Sequence, residues 1–371
     1  MSARQTIEKF LEGTPITING PHPWDPHIYD ERVYRRVLSG GSLALGESYM
    51  DGWWDTEDLA EFINRILHAH IEEKFPLSFE GLFYFIRARL SNLQSRARAK
   101  QVVKTHYDTG NDLYLSFLDS YNQYTCAYFK GTDDLEIAQQ KKLELICKKL
   151  QLKASDKVLD IGSGWGGFAK YASEHYGCHV TGISISDEQI KYARQFCKGL
   201  PVTIVKTDYR DIVGMFDKVV ICGMLEHVGY KNYPMLMRIV HRALAKEGLF
   251  LLHTIGNSWS VYSAEPWINK YIFPNGMLPS IAQIGRSIEN LFVMEDWQNF
   301  GADYDRTLMA WFGNFDAAWP TLKEKYGERF YRMWKYYLLS MAGAFRSRRN
   351  NQLWQIVLSK GGVPGGYISL R

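Results

Sequence analysis

Two hydrophobic periods divide the chain. In TEDLAEFINRILHAH, apolar side chains recur at Leu59, Phe62, Ile63, Ile66 and Leu67, a spacing of three and four that predicts an amphipathic helix started by Thr56 and its acidic neighbours. From about residue 155 the pattern changes to short β-branched runs at 157–162, 179–185, 202–208, 218–223 and 248–256. Helical stretches such as DEQIKYARQFCKGL and YPMLMRIVHRAL separate most of them, which predicts βαβ crossovers and a parallel sheet covered on both faces. LFVMEDWQNF and LWQIVLSKG read as two further strands around a helical insertion at 303–349, the last closing the sheet as an antiparallel edge hairpin. The expected fold class is therefore α/β, a Rossmann-like, seven-stranded, mostly parallel sheet with a helical insertion. A smaller, mainly helical domain over residues 1–104 is expected to precede a larger domain over 105–371.

Composition narrows the function classes. Lys and Arg number 44 against 40 for Asp and Glu, a net charge of +4, and this mild balance does not call for nucleic acid as a partner. The five cysteines are scattered, with no CxxC pair, so neither a disulfide framework nor a metal site is expected and a reducing cytosol fits. MSARQTIEKFLEG lacks the apolar core of a signal peptide, and no apolar run approaches the roughly 18 residues of a membrane span, so the expected state is soluble or peripheral. Basic character is local. From 81 to 107 there is no acid, while Arg87, Arg89, Arg96, Arg98, Lys100 and Lys104 alternate with Phe83, Phe85, Ile86, Leu90 and Leu93. Such a segment suits an anionic bilayer, where each basic side chain adds about 1 kcal/mol, or else it is a solvated helix face. GESYMDGWWD reads either as an apolar docking corner or as tryptophans buried in a small helical core.

Chemistry enters at DIGSGWGGFAKYA, where Gly162, Gly164, Gly166 and Gly167 lie between a strand and a helix. A glycine-rich turn of this kind admits a ligand close to backbone, and dinucleotide folds share it. Asp160, two residues ahead of the first glycine, suits a ligand carrying an ammonium and a sulfonium and no phosphate. The next strand ends at Ser184, Ser186 and Gln189, where NAD enzymes usually offer an acid to the ribose. The third ends in KTDYRD, with Asp208 for an amine and the Tyr209 ring for a flat base. These features favour an S-adenosylmethionine-dependent methyltransferase of class I fold over a dinucleotide oxidoreductase or a binding-only α/β domain.

LALGESYMDGWWD, HYDTGNDLY, YTCAYF, VLDIGSGWGG, GMLEHVG, LLHTIG, WINKYIFPNG and NFGADYDRTLMAW together resemble the bacterial cyclopropane-fatty-acyl-phospholipid synthases and their mycolic-acid cyclopropane synthase relatives. The resemblance implies transfer of a methylene from S-adenosylmethionine to a cis double bond of a membrane phospholipid acyl chain, with bound bicarbonate as base. It implies that Cys126, Glu226, His253, Ile255 through its backbone amide, and Tyr304 hold that base. For S-adenosylmethionine it implies Gly162, Gly164, Gln189 and Tyr209, with Tyr124 and Thr125 over the methionine end, beside Asp160, Ser184 and Asp208 from the residue pattern. Tyr304 is expected on a loop after a strand, His227 as a core or supporting group, and Cys222 as core. Met341 and Ser163 stand where relatives often carry cysteine, so no thiol is required at either place. The same resemblance implies a homodimer, docked through its N-terminal region on anionic lipid at the cytoplasmic face of the cell membrane. An enzyme giving methyl-branched or methylene chains, and a lipid-binding protein with a degenerate site, are the alternatives.

Overall fold

Alternation along each strand explains how the sheet is buried. The structure is a computed structural model that describes residues 1–74, 92, 94 and 110–371. The chain forms two compact units, neither of them continuous in sequence. The first comprises Met1–Leu93, Tyr262–Asn275 and Tyr304–Asn351, and the second comprises Gln94–Val261, Gly276–Asp303 and Gln352–Arg371. The expected boundary at 104/105 lies outside the described residues, and the later segments of the first unit were not anticipated.

In the first unit a short ladder pairs β1 (His27–Ile28) with β2 (Trp54–Asp55). Among the described residues its other regular elements are helices, with Arg32–Met50, Leu59–His68 and Glu328–Arg346 as the principal ones. The Leu59–His68 helix starts where the periodicity placed it, and among Thr56 and its acidic neighbours it is Asp58 that caps it, accepting from Glu61 N. Trp54 is buried and packs edge-on to Tyr49 at 5.1 Å, so this tryptophan belongs to a core. Trp53 instead lies under the guanidiniums of Arg32 and Arg36, each 4.7 Å from its ring centroid. Two glycines allow the closest helix contacts. A Cβ at Gly46 would lie 2.4 Å from Trp267, and one at Gly343 would lie 2.2 Å from the carbonyl oxygen of Ala60. The basic 81–107 segment lies almost wholly outside the described residues.

The second unit carries a seven-stranded sheet ordered β5-β4-β3-β6-β7-β9-β8. Its strands are β3 (Lys157–Ile161), β4 (His179–Ser184), β5 (Val202–Lys206), β6 (Phe216–Cys222), β7 (Leu244–Asn257), β8 (Val293–Asn299) and β9 (Asn351–Ser359). The pairs β5–β4, β4–β3, β3–β6 and β6–β7 are parallel, while β8–β9 is antiparallel. The expected hairpin is present with one correction: β9 sits inside the sheet, and β8 is the edge. Leu159, Ile161, Val219, Ile221, Phe250 and Leu252 face one core, whereas Val158, Val220, Leu249 and Leu251 face the other with Leu143 and Ile146 of the Leu135–Lys149 helix. Chain order reverses between β3 and β6, the position at which open α/β sheets form a crevice at their strand ends.

Candidate active site

The face covered by the Leu135–Lys149 helix turns polar at the strand ends. Asp160 follows Val158 on that face by strand alternation, Cys222 follows Val220, and His253 follows Leu251. Cys222 and His253 are register partners, which sets them side by side at the rim. Just beyond β6, a short turn over Leu225–His227 buries Glu226. One of its oxygens accepts from the Ile255 backbone amide at 2.7 Å, so Glu226 and Ile255 meet directly. The other oxygen, like His253 Nε2, is buried and has no hydrogen-bond partner among the described residues.

Burial drives the titration of these groups. It raises the Glu226 carboxyl, against the lowering effect of hydrogen bonds from Ile255 and Thr254. It lowers His253 well below the ordinary imidazole range, and the charges of Lys142 and Lys149 lower it further. His253 is therefore neutral. Its Nδ1 lies 3.4 Å from Gln355 Nε2, and with that amide as donor the imidazole presents Nε2–H to the site. His227 is pushed down to about 4 by burial, which fits a supporting neutral group.

The glycine loop has the backbone that its sequence requires. Gly162, Gly164 and Gly166 have φ of 87°, 54° and 87°, the left-handed region open to glycine. A Cβ at Gly162 would also lie 2.9 Å from Met224. The Gly162 and Ser163 amides both donate to the Ile183 carbonyl at 3.0 Å, tying the loop to β4. Beside it, Asp160 is buried with Oδ2 unpartnered among the described residues, and burial raises its carboxyl to about 7. A buried acid with a spare oxygen, next to a loop where side chains are excluded, fits the amine end of S-adenosylmethionine. Ser184 and Gln189 are hydrogen-bonded at 3.4 Å, and Ser186 caps the helix that bears Gln189. Tyr209 has a buried hydroxyl with no hydrogen-bond partner among the described residues, while Asp208 is taken up by Arg210 at 2.9 Å.

The Tyr124–Cys126 segment is held from the helix behind it. Tyr124 packs edge-on to Tyr114 at 5.1 Å, and Cys126 is fully buried with Sγ directed to Ala127 O at 3.3 Å. Gln139 donates to the carbonyl oxygens of Gln123 and Thr125 at 3.3 and 2.9 Å. Lys142 donates to Gln123 Oε1, and to Thr125 Oγ1 at 2.9 Å. Tyr304 belongs to the first unit and corrects the expectation of a loop: it lies on the helix Ala302–Tyr326, with its ring stacked on Phe345 at 4.5 Å. The helix begins immediately after β8 and Phe300, so the aromatic and acidic residues of GADYD form its first turn. Thus Cys126, Glu226, His253 and Ile255 share the second unit, and Tyr304 is described with the first.

Comparison with known proteins bears on this geometry. Residues 94–356 match the mycolic acid cyclopropane synthetase family. The chain is 53% identical to cyclopropane-fatty-acyl-phospholipid synthase of Escherichia coli (strain K12) over 95% of its own length and 92% of that protein. The chain belongs to this cyclopropane synthase family. It is also 35% identical to sphingolipid C9-methyltransferase A of Emericella nidulans, over 90% of this chain and 67% of that one. Mycolic acid cyclopropane synthase CmaA1, solved with SAH and CTAB, superposes with a TM-score of 0.65 at 27% identity, covering 70% of this chain and 98% of that one. The cyclopropane synthase MmaA2 from Mycobacterium tuberculosis gives 0.65 at 26%, again over 70% and 98%. The sheet is that of the class I S-adenosylmethionine-dependent methyltransferases.

Lys142, Gln139 and Gln355 were not among the residues expected from the sequence. The first two carried a signal: 139, 142, 146 and 149 follow helical spacing, with Ile146 in the core, so a glutamine and two lysines share the buried stripe. Gln355 had none, because its role depends on β9 inserting between β7 and β8.

Proposed function

We propose that this protein transfers a methylene from S-adenosylmethionine to the cis double bond of phospholipid acyl chains, forming a cyclopropane ring with bicarbonate as base. Family membership at high identity supports the reaction class. The observation that supports the site is the pair of buried atoms, Glu226 Oε2 and His253 Nε2, that have no hydrogen-bond partner among the described residues and lie at the strand ends. An acceptor and a neutral donor of this kind match a protonated oxyanion, which both gives and takes hydrogen bonds.

S-Adenosylmethionine supplies an electrophilic methyl group. The chain's own part is to align the alkene with that methyl, since the alkene attacks without help from a base. As the C–C bond forms and the methyl–sulfur bond breaks, positive charge develops on the acyl chain. The added methyl then loses a proton, and the ring closes. Aromatic residues such as Tyr124 and Tyr114 keep water from intercepting the cation, and Cys126, Glu226, His253 and the Ile255 amide orient the base. Docking on anionic lipid through the basic 81–107 segment delivers the acyl chain, and a homodimer on the cytoplasmic face of the membrane strengthens that contact by avidity.

Anionic vesicles with cis-unsaturated chains, S-adenosylmethionine and bicarbonate test the reading. The expected product is an acyl chain heavier by one methylene, with the retention of a cyclopropane on gas chromatography. A methyl-branched or methylene chain makes the protein a fatty-acyl methyltransferase instead, and vesicle binding without product makes it a lipid-binding protein.

A further inference from the structure

The Leu135–Lys149 helix packs on the sheet, and Lys142 on its inner stripe is 0% exposed. An ammonium without water is costly unless it is paired. Yet its two hydrogen-bond partners among the described residues, the Gln123 amide oxygen and the Thr125 hydroxyl, are both neutral. No ion pair of Lys142 exists among the described residues. The groups within reach of its charge are Cys222, Asp119, Cys126 and Asp160, and on the other side His253. Asp160 and Asp119 are the carboxyls of this set, and burial raises both, to about 7 and about 6. Burial lowers the Lys142 ammonium from its ordinary range, while Cys222, Asp119, Cys126 and Asp160 act in the opposite direction and favour its charge. As an ammonium it has three donors, of which two are used by the segment that bears Cys126.

We propose that Lys142 is a positioning residue for the reaction: it clamps the Gln123–Cys126 segment and supplies the buried positive charge opposite which a small oxyanion is held beside Cys126 and His253. The inference rests on the proposed use of an external anionic base. It assigns to Lys142 a task that the residues touching the base do not perform. Cys126, neutral His253 and a carboxyl at Glu226 provide hydrogen bonds but no positive charge, and an anion in a dry site needs one. The same ammonium repels a proton from His253, which keeps the imidazole a donor and not a competing acid.

The test uses the full-length enzyme and its K142M and K142Q variants. Each is titrated calorimetrically with bicarbonate in the presence of S-adenosylhomocysteine, and assayed on vesicles. K142M is expected to bind bicarbonate at least tenfold more weakly and to lose about a hundredfold in kcat, with the KM for vesicles unchanged. K142Q keeps an N–H for Thr125 without the charge, so it should show the same weakening; it also carries the test should K142M fail to fold. Equal bicarbonate affinity in wild type and either folded variant overturns the inference, as does a wild type that binds no bicarbonate. Lys142-dependent binding of bicarbonate in a wild type that makes no cyclopropane leaves the inference standing and removes the proposed reaction instead.

Discussion

Burial holds the Asp160 carboxyl at about 7 against its ordinary 3.8, so near neutrality a proton is shared between bound and free forms. In that window the folded chain holds a proton that the unfolded chain has released. This group's contribution to stability is therefore greatest at low pH and falls as pH rises from 3.8 to about 7. A cationic ligand beside Asp160 reverses the balance by drawing the carboxyl down and expelling the proton. S-Adenosylmethionine should thus bind more tightly as pH rises through about 7, with proton release visible as a dependence of calorimetric enthalpy on buffer ionisation. Asp160→Asn should abolish that dependence and weaken binding; a wild type that releases no proton would remove Asp160 from the cofactor site. At Glu226 the expected split is different. Glu226→Gln keeps an oxygen for the Ile255 amide, so the melting temperature should hold, while kcat falls by about 10²-fold or more because the second position becomes a donor.

Among elements, the turn between β3 and its following helix combines two constraints at one residue. Gly162→Ala places a Cβ in left-handed backbone, at about 1–2 kcal/mol, and sets it 2.9 Å from Met224. Denaturant unfolding should report that loss, and calorimetry a weaker affinity for S-adenosylmethionine. A variant that binds the cofactor with wild-type affinity would show that loop backbone does not hold it. This turn was legible because its demands are local: glycines at fixed spacing between a strand and a helix. The strands of the sheet were legible for the same reason, since each announces itself in a short apolar run. Their order was not, because whether β8 or β9 takes the edge depends on contacts between segments remote in sequence. The site divides in the same way. Asp160 and His253 stand at visible strand ends, whereas Lys142 lies in a helix whose charged residues look solvated until the stripe they share with Ile146 is found buried.

For the molecule as a whole, the discontinuity of the first unit decides what can be separated from what. Arg332, late in the chain, donates to the Tyr49 and Trp54 carbonyl oxygens at 2.6 and 2.9 Å and to Asp55 at 2.8 Å. Arg346 reaches Glu61 at 3.3 Å, and Arg349 donates to Leu67 O at 2.9 Å. A fragment of residues 1–104 lacks all of these and leaves Trp54 and Ala60 without the Glu328–Arg346 helix. It should show no cooperative thermal transition by circular dichroism, although the N-terminal region reads as a domain of its own in sequence. Membrane attachment is testable on the intact chain. Binding to anionic vesicles should fall steeply with added salt, and replacing Arg96, Arg98, Lys100 and Lys104 with serine should weaken it by about 1 kcal/mol per charge. Sedimentation with vesicles measures both.

The interleaving also sets an order of completion during synthesis. Residues 328–346 emerge from the ribosome after most of the chain, and β9, which fills the gap between β7 and β8, comes later still. Neither unit can close until residues 328–359 are made. Residues 1–74, which precede every strand of the seven-stranded sheet, can thus complete their unit only after residues 328–346 have followed.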